Sequence, residues 1–133
     1  MKIIVLMMLL VTNLAIADDW IIGTWKLDVE STKSTYSDAG LLDDDMKMML
    51  EFFGQGSIEF KEGKIITIVE EGGLELPSSM EVMHSSASKI TIKETTLIGK
   101  VRTRTFVLDA SSGKMRELDV KSKDLPKTYI KQL

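Results

Sequence analysis

The sequence predicts a mainly β protein: an antiparallel, eight-stranded barrel with one short helix between the first and second strands. Most of the chain after residue 17 alternates apolar and polar residues with a period of two, which is typical of half-buried strands. Short segments containing Gly, Asp or Ser separate these runs and favour antiparallel neighbours. The later segments leave no room for the crossover helices that a parallel sheet requires. Closing the sheet into a barrel would remove exposed strand edges.

Composition limits the protein to one small domain and excludes several classes of site. The chain has 133 residues, 17 Lys plus Arg against 20 Asp plus Glu, and a formal net charge of −3. It contains no cysteine, so a disulfide, a zinc-thiolate site and a catalytic thiol are all excluded. The acidic balance provides no broad basic surface, and we expect no nucleic-acid partner.

Residues 1–17 resemble a secretory signal peptide. One lysine, Lys2, precedes the apolar run Ile3–Val11, and Ala15-Ile16-Ala17 is the small-residue pattern that signal peptidase accepts. The alternative, an uncleaved membrane anchor, needs a longer apolar run, of roughly 20 residues. We therefore expect residues 18–133 to form the folded domain. The leader and the absence of cysteine favour a periplasmic or secreted location.

The predicted strands follow in order along residues 18–133. In the first strand, Ile21, Gly23, Trp25, Leu27 and Val29 share one face, whereas Thr24, Lys26 and Asp28 lie on the other. The other predicted strands are Ser57–Lys61, Lys64–Glu70, Ser79–His84, Lys89–Glu94, Lys100–Asp109, Met115–Lys121 and Thr128–Gln132. Short turns, Glu62-Gly63, Glu71-Gly72-Gly73 and Ala110–Gly113, join neighbouring strands.

Leu41–Phe53 is the one segment that predicts a helix. Asp43 can cap its N-terminus, Asp44 and Asp45 place negative charge in the first turn, and Gly54 can end it. Its apolar stripe consists of Leu42, Met46, Met49, Leu50 and Phe53. We expect the helix to cover an apolar surface or the opening of the barrel.

The triplet Gly23-Thr24-Trp25 resembles the Gly-x-Trp opening strand of the calycins, which include the lipocalins and the intracellular fatty-acid-binding proteins. The resemblance extends to a helical insertion before the second strand, and implies that Gly23 allows close approach while Trp25 plugs the closed end of a barrel. Lys127-Thr128-Tyr129 resembles the Arg-x-Tyr with which fatty-acid-binding proteins hold a carboxylate. Here lysine offers a point charge in place of a bidentate fork. The chain looks like a reduced, bacterial lipocalin-like domain.

One predicted strand carries two arginines on a single face. Arg102, Arg104, Phe106 and Leu108 alternate with Val101, Thr103, Thr105 and Val107. If the arginine face points inward, both guanidinium groups need an anionic partner, such as a ligand headgroup, because an unpaired buried charge is costly. In the alternative, the Val and Thr face points inward and the arginines are solvated, or one arginine covers Trp25.

Other chemistries have weaker support in the sequence. Met80-x-x-Met83 beside His84 could hold Cu(I), but flexible methionine side chains in a core or around an apolar pocket explain the pattern better. Asp43–Asp45 lacks the spacing of a calcium loop and fits a helix N-terminus. His84 is the only ordinary general base, and the motifs of common catalytic sites are missing. We expect no catalytic residues, metal or cofactor, and hence no enzyme.

Two functions remain. In the first, the barrel binds a small lipophilic molecule or amphipathic anion through Arg102, Arg104, Phe106, Lys127 and Tyr129. In the second, the barrel is filled by side chains, has no ligand, and its surface binds an envelope protein partner. We expect a monomer in either case. The volume of the barrel interior distinguishes the two functions.

Overall fold

A computed structural model describes residues 20–70, 73–118 and 126–133. Eight strands form a closed antiparallel barrel in which each strand pairs with the next in sequence and the last pairs with the first. The strands are β1 (Gly23–Leu27), β2 (Ser57–Lys61), β3 (Lys64–Ile68), β4 (Glu75–Ser85), β5 (Lys89–Thr96), β6 (Val101–Leu108), β7 (Met115–Leu118) and β8 (Lys127–Lys131). The predicted fold class is therefore confirmed.

Two helices, α1 (Val29–Asp38) and α2 (Asp44–Phe53), connect β1 to β2. The sequence predicts α2, including its capping residue: the Asp43 carboxylate accepts the Met46 backbone N–H at 2.8 Å. Helix α1 was not predicted, and the first strand ends at Leu27, whereas the period-two pattern continues to Val29. Asp28 turns the chain because its carboxylate accepts the Ser31 backbone N–H at 3.2 Å and caps α1.

Strand boundaries differ from the prediction mainly in β4, which begins at Glu75, four residues before Ser79. Lys61 pairs with Lys64 across the predicted two-residue turn, where Gly63 adopts a positive φ of 71°. Residues 1–17, most of the Glu71–Gly73 turn and the predicted end of the seventh strand at Lys121 lie outside the described residues.

The two ends of the barrel contain different connections. Because the sheet is antiparallel and closed, α1, α2, the β5–β6 turn and the C-terminal ends of β3 and β7 share one end, here called the helical end. The opposite end, called the closed end, contains the β2–β3, β4–β5 and β6–β7 turns. The segment preceding β1 crosses this closed end, where the Trp20 indole N–H donates to the Ser86 carbonyl at 3.1 Å.

Inward-facing apolar side chains fill the closed end. Phe60 and Phe106 pack edge to face with their ring centroids 5.3 Å apart, and Ile65 and Ile90 are fully buried beside them. Trp25 is also fully buried, and its indole N–H donates to the Ile21 carbonyl at 2.8 Å. These contacts place the main core at the closed end.

Helices α1 and α2 are tied to each other and to the barrel by polar contacts. The Lys33 ammonium lies 2.7 Å from the Glu51 carboxylate and joins the two helices. Thr32 accepts the backbone N–H of Thr128 at 3.2 Å, which joins α1 to β8. Within the described part of the chain, neither helix has the length and apolar character needed to cross a membrane.

Candidate ligand-binding cavity

A cavity of about 320 Å³ lies inside the barrel at the helical end. The strands that line it are β1, β2, β3, β6, β7 and β8, together with the end of α2. Four of the five residues predicted to contact a ligand line this cavity: Arg102, Arg104, Lys127 and Tyr129. The fifth, Phe106, lies in the core, where its ring centroid is 5.1 Å from the Arg104 guanidinium carbon.

The arginine face of β6 points into the barrel. Arg104 and Phe106 are buried, whereas Val101 and Thr103 on the alternate face are exposed. The alternative with an inward Val and Thr face is therefore wrong. The cation over the Trp25 ring is also a different residue from the one considered: the Lys131 ammonium lies 5.5 Å from the ring centroid.

Arg104 is held by a two-pronged contact with Glu117 on the neighbouring strand β7. Its Nε donates to Glu117 Oε2 at 2.8 Å and its Nη2 donates to Oε1 at 2.7 Å. The Tyr129 hydroxyl donates to the same Oε1 at 3.2 Å. One carboxylate therefore fixes two of the predicted ligand contacts in place.

Protonation states in this cluster follow from burial and pairing. Burial pushes the pKa of the Glu117 carboxyl upward, but the hydrogen bonds and charge of Arg104 outweigh burial and hold it below its ordinary value. Burial would lower the pKa of Arg104, but Glu117 outweighs it and raises this pKa. Burial, reinforced by the Glu117 charge, raises the pKa of the Tyr129 hydroxyl. At neutral pH the pair is ionised and Tyr129 is protonated.

A second carboxylate, Glu94 on β5, pairs with both arginines. Its Oε1 accepts from Arg102 Nε at 2.6 Å and lies 3.5 Å from Arg104 Nη1, and only 2% of its side chain is exposed. The anionic partner expected for inward-facing arginines is therefore a carboxylate of the chain itself and not a ligand headgroup. The protein itself supplies the two anions that make burial of Arg104 tolerable.

Neither Glu94 nor Glu117 was predicted as a site residue. Glu94 continues the inward face of Ile90 and Ile92, and Glu117 follows the buried Met115 by two residues. A carboxylate in phase with a buried period-two face is the signal that could have identified both, because such a position demands a cationic partner.

Counted by formal charge, the cluster has an excess of one positive charge, since it holds Arg102, Arg104 and Lys127 against Glu94 and Glu117. Lys127 has no carboxylate within 4 Å among the described residues. The Arg102 side chain is 55% exposed and uses only its Nε in the hydrogen bonds found within this part of the chain. Lys127 and the terminal amino groups of Arg102 are therefore the cations available to a ligand.

The lining divides into two walls of opposite character. The polar wall comes from β6, β7 and β8 and consists of Arg102, Arg104, Glu117, Lys127 and Tyr129. The apolar wall comes from α2, β1, β2 and the end of β3; its large apolar residues are Trp25, Leu27, Phe53, Ile58, Ile68 and Val69. Gly56, Ser57 and Thr67 complete the lining. The arrangement can bind both parts of an amphipathic molecule.

The two residues of the calycin-like opening strand occupy structural positions. Trp25 lies one inward-facing position deeper than Leu27 and so forms part of the cavity floor. Gly23 adopts a φ of 131°, and a Cβ atom there would lie 3.0 Å from Lys131 Cε. Glycine is needed at this position because both the backbone conformation and the close approach of Lys131 disfavour a side chain.

The residues considered for metals are dispersed. Met80 is buried in the core, whereas Met83 and His84 are exposed, and β4 is irregular between Val82 and His84. Asp43 caps α2. Among the residues that the structure describes, no three His, Cys, Asp or Glu side chains are grouped so that they could hold a metal ion.

The chain matches no protein-family model and no curated protein. Its eight-stranded antiparallel barrel is consistent with the fold that the calycin resemblance implies. The two helices between β1 and β2 also agree with the position of the helical insertion in that resemblance.

Proposed function

We propose that the protein is a calycin-like barrel that binds a small amphipathic anion in the cavity at its helical end and does not act as an enzyme. The observation that carries the proposal is the position of Arg102, Lys127 and Tyr129 in one wall of a cavity whose other wall is apolar. Ligand pockets typically measure about 300–1,000 Å³, so a cavity of about 320 Å³ suits a small ligand.

The cations at the polar wall have different roles in this proposal. Arg102 and Lys127 contact the negative group of the ligand, because both retain donors that no carboxylate uses among the described residues. Arg104 is already committed to Glu117, so it positions that carboxylate and Tyr129. A hydrogen bond to a charged group contributes about 1.5–3 kcal/mol, which corresponds to roughly a tenfold to hundredfold change in affinity.

Titration calorimetry with amphipathic carboxylates and their neutral alcohol analogues tests the proposal. Lys127→Met should weaken binding of the carboxylates about tenfold or more and leave binding of the alcohols unchanged. Lys93→Met is the matched control, because Lys93 is exposed on β5 and does not line the cavity. Absence of carboxylate binding, or equal loss of affinity in the two variants, would overturn the proposal.

We also propose that the protein is exported to the periplasm or secreted after removal of residues 1–17. The Ala15-Ile16-Ala17 pattern supports this, although residues 1–17 lie outside the described residues. The intact mass of the protein recovered from the cell envelope and the medium is the test. A mature chain that begins at Asp18 is expected, and a chain that retains Met1 would contradict export by cleavage.

A second candidate function, binding of an envelope protein partner, is favoured by the β5–β6 turn. Leu97 and Ile98 at its tip are 76% and 89% exposed, which is unusual for two adjacent large aliphatic residues. The cavity disfavours a completely filled barrel, which the sequence analysis associates with this candidate. This candidate would be favoured over ligand binding by two results together. The protein would bind none of the carboxylates, and the double variant Leu97→Ser/Ile98→Ser would no longer bind an envelope protein that the wild-type protein binds.

A further inference from the structure

The polarity of the cavity changes from side to side and not along its depth. On the polar wall, Arg104 lies deep and Arg102 lies nearer the helical end, two residues apart on the inner face of β6. On the apolar wall, Trp25 lies deep and Leu27 lies nearer that end, two residues apart on the inner face of β1. Each depth therefore has charged groups on one side and hydrocarbon on the other.

We propose that the ligand is a rigid, flat monoanion, such as a fused-ring aromatic carboxylate, which binds side-on with its acidic edge against the polar wall. This inference rests on the proposed function and specifies the class of anion. A flat ring can cover Leu27, Ile58 and Val69 along one face while its carboxylate reaches Arg102 and Lys127. A single negative charge matches the excess of one positive charge in the cluster.

A flexible chain with its acid at one end fits this cavity less well. Its methylene groups would lie against Glu117, Tyr129 and the Arg104 guanidinium on the way to the floor. Covering polar groups with hydrocarbon removes their remaining contacts with water and returns no hydrogen bond. A flexible chain also loses more conformational freedom on binding than a rigid ring does.

Calorimetric titration of the mature protein with naphthoate, naphthalenemethanol, decanoate and decanol compares the two shapes with and without charge. Naphthoate should bind more tightly than decanoate by about tenfold or more. A tenfold difference is the cost of covering one polar group of the wall with hydrocarbon that offers it no hydrogen bond. The affinity for naphthoate should also exceed the affinity for naphthalenemethanol by about tenfold or more, because the uncharged alcohol cannot form an ion pair with Arg102 or Lys127.

Variants on the two walls show whether one ligand touches both at once. Arg102→Met should weaken the binding of naphthoate about tenfold and leave the binding of naphthalenemethanol unchanged. Arg116→Met is its matched control, because Arg116 lies exposed on the outer face of β7, next in sequence to Glu117. Ile58→Val, a mild change on the apolar wall, should weaken the binding of naphthoate and of naphthalenemethanol by the same factor. Nuclear Overhauser contacts should join the ring protons to the methyl groups of Leu27, Ile58 and Val69.

Failure of this inference differs from failure of the proposed function. If decanoate binds as tightly as naphthoate, and Lys127→Met weakens its binding, the proposal of a flat ligand bound side-on is wrong. The proposal that the cavity binds an amphipathic anion then still stands. Ring contacts confined to the exposed residues of α2 would also overturn the side-on geometry. Absence of binding by either carboxylate would overturn both proposals.

Discussion

The closed end and the helical end of this barrel are filled by opposite means. At the closed end, Phe60, Phe106, Ile65 and Ile90 pack against one another with no exposed surface. At the helical end, the interior holds Arg104 and its two carboxylates, Glu94 and Glu117, beside an open cavity. Apolar packing stabilises a fold directly, whereas a buried ion pair gains little over apolar residues of the same volume because its charges must be desolvated.

This difference separates the end that stabilises the fold from the end where we propose ligand binding. The closed end carries the core that a small domain without disulfides needs. The helical end could be filled with apolar side chains at little cost in stability, so folding does not require its charges, in agreement with the ligand binding that we propose there. Variants at each end should therefore fail in different ways.

The largest expected effect is at the floor between the two ends. Trp25→Ala should lower the free energy of unfolding by about 3–5 kcal/mol, since it removes a fully buried indole and leaves a void. Chemical denaturation measures the change. Trp20→Ala is the matched control. Because Trp20 is only partly buried, this variant should lower the free energy of unfolding by less than Trp25→Ala does. A loss below about 1 kcal/mol at Trp25 would place the side chain outside the core.

The next largest effect distinguishes the contribution of the Arg104–Glu117 ion pair from that of apolar packing at the helical end. Arg104→Met should lower the free energy of unfolding by about 3 kcal/mol or more, because Glu117 then loses its buried partner. Arg104→Met/Glu117→Met should regain most of that loss, because no unpaired charge remains at this position. Denaturation of both variants and the wild-type protein tests this. A double variant as unstable as the single one would show that the ion pair itself is needed for folding.

The barrel could be predicted from sequence because its strands and tight turns are local patterns. Ser57–Lys61 was predicted residue for residue, since its alternation is bounded by Gly56 and the Gly63 turn. Helix α1 could not be predicted in the same way. Its segment has a weak apolar stripe, and only Thr32 and Tyr36 are buried, so the packing of the finished barrel and the Asp28 cap decide its conformation.

The lining of the candidate cavity could be predicted in part for a related reason. Arg102, Arg104 and Phe106 share one strand face, so their common direction follows from a period of two. The direction itself depends on partners from other strands: Glu94 faces Arg102 across β5 and β6, and Glu117 reaches Arg104 from β7. Strand register brings these carboxylates to the arginines, and register between distant segments is set by the whole barrel.

The smallest expected effect is the pH dependence of the Arg104→Met penalty, which should shrink as the solution becomes acidic. In the wild-type protein the folded-state pKa of Glu117 lies below its ordinary value of 4.5, so its contribution to stability is present above that pH. This contribution is lost as the pH falls through the lower folded-state value. In Arg104→Met the carboxyl keeps its burial without the arginine, so protonation relieves the variant while it weakens the wild-type protein.

Urea denaturation of both proteins between about pH 7 and pH 3 follows this difference: the variant gains stability above about pH 4.5, as its buried carboxyl takes up a proton, and the wild-type protein loses stability below that pH. Asp28, whose pKa is also lowered in the fold by Lys114 and Ser31 against the effect of its burial, acts equally in both proteins and cancels. Arg116→Met should differ from the wild-type protein by the same amount at every pH, since Arg116 has no ion pair among the described residues. A penalty for Arg104→Met that stays constant across this range would mean that Glu117 is not the group whose charge Arg104 balances.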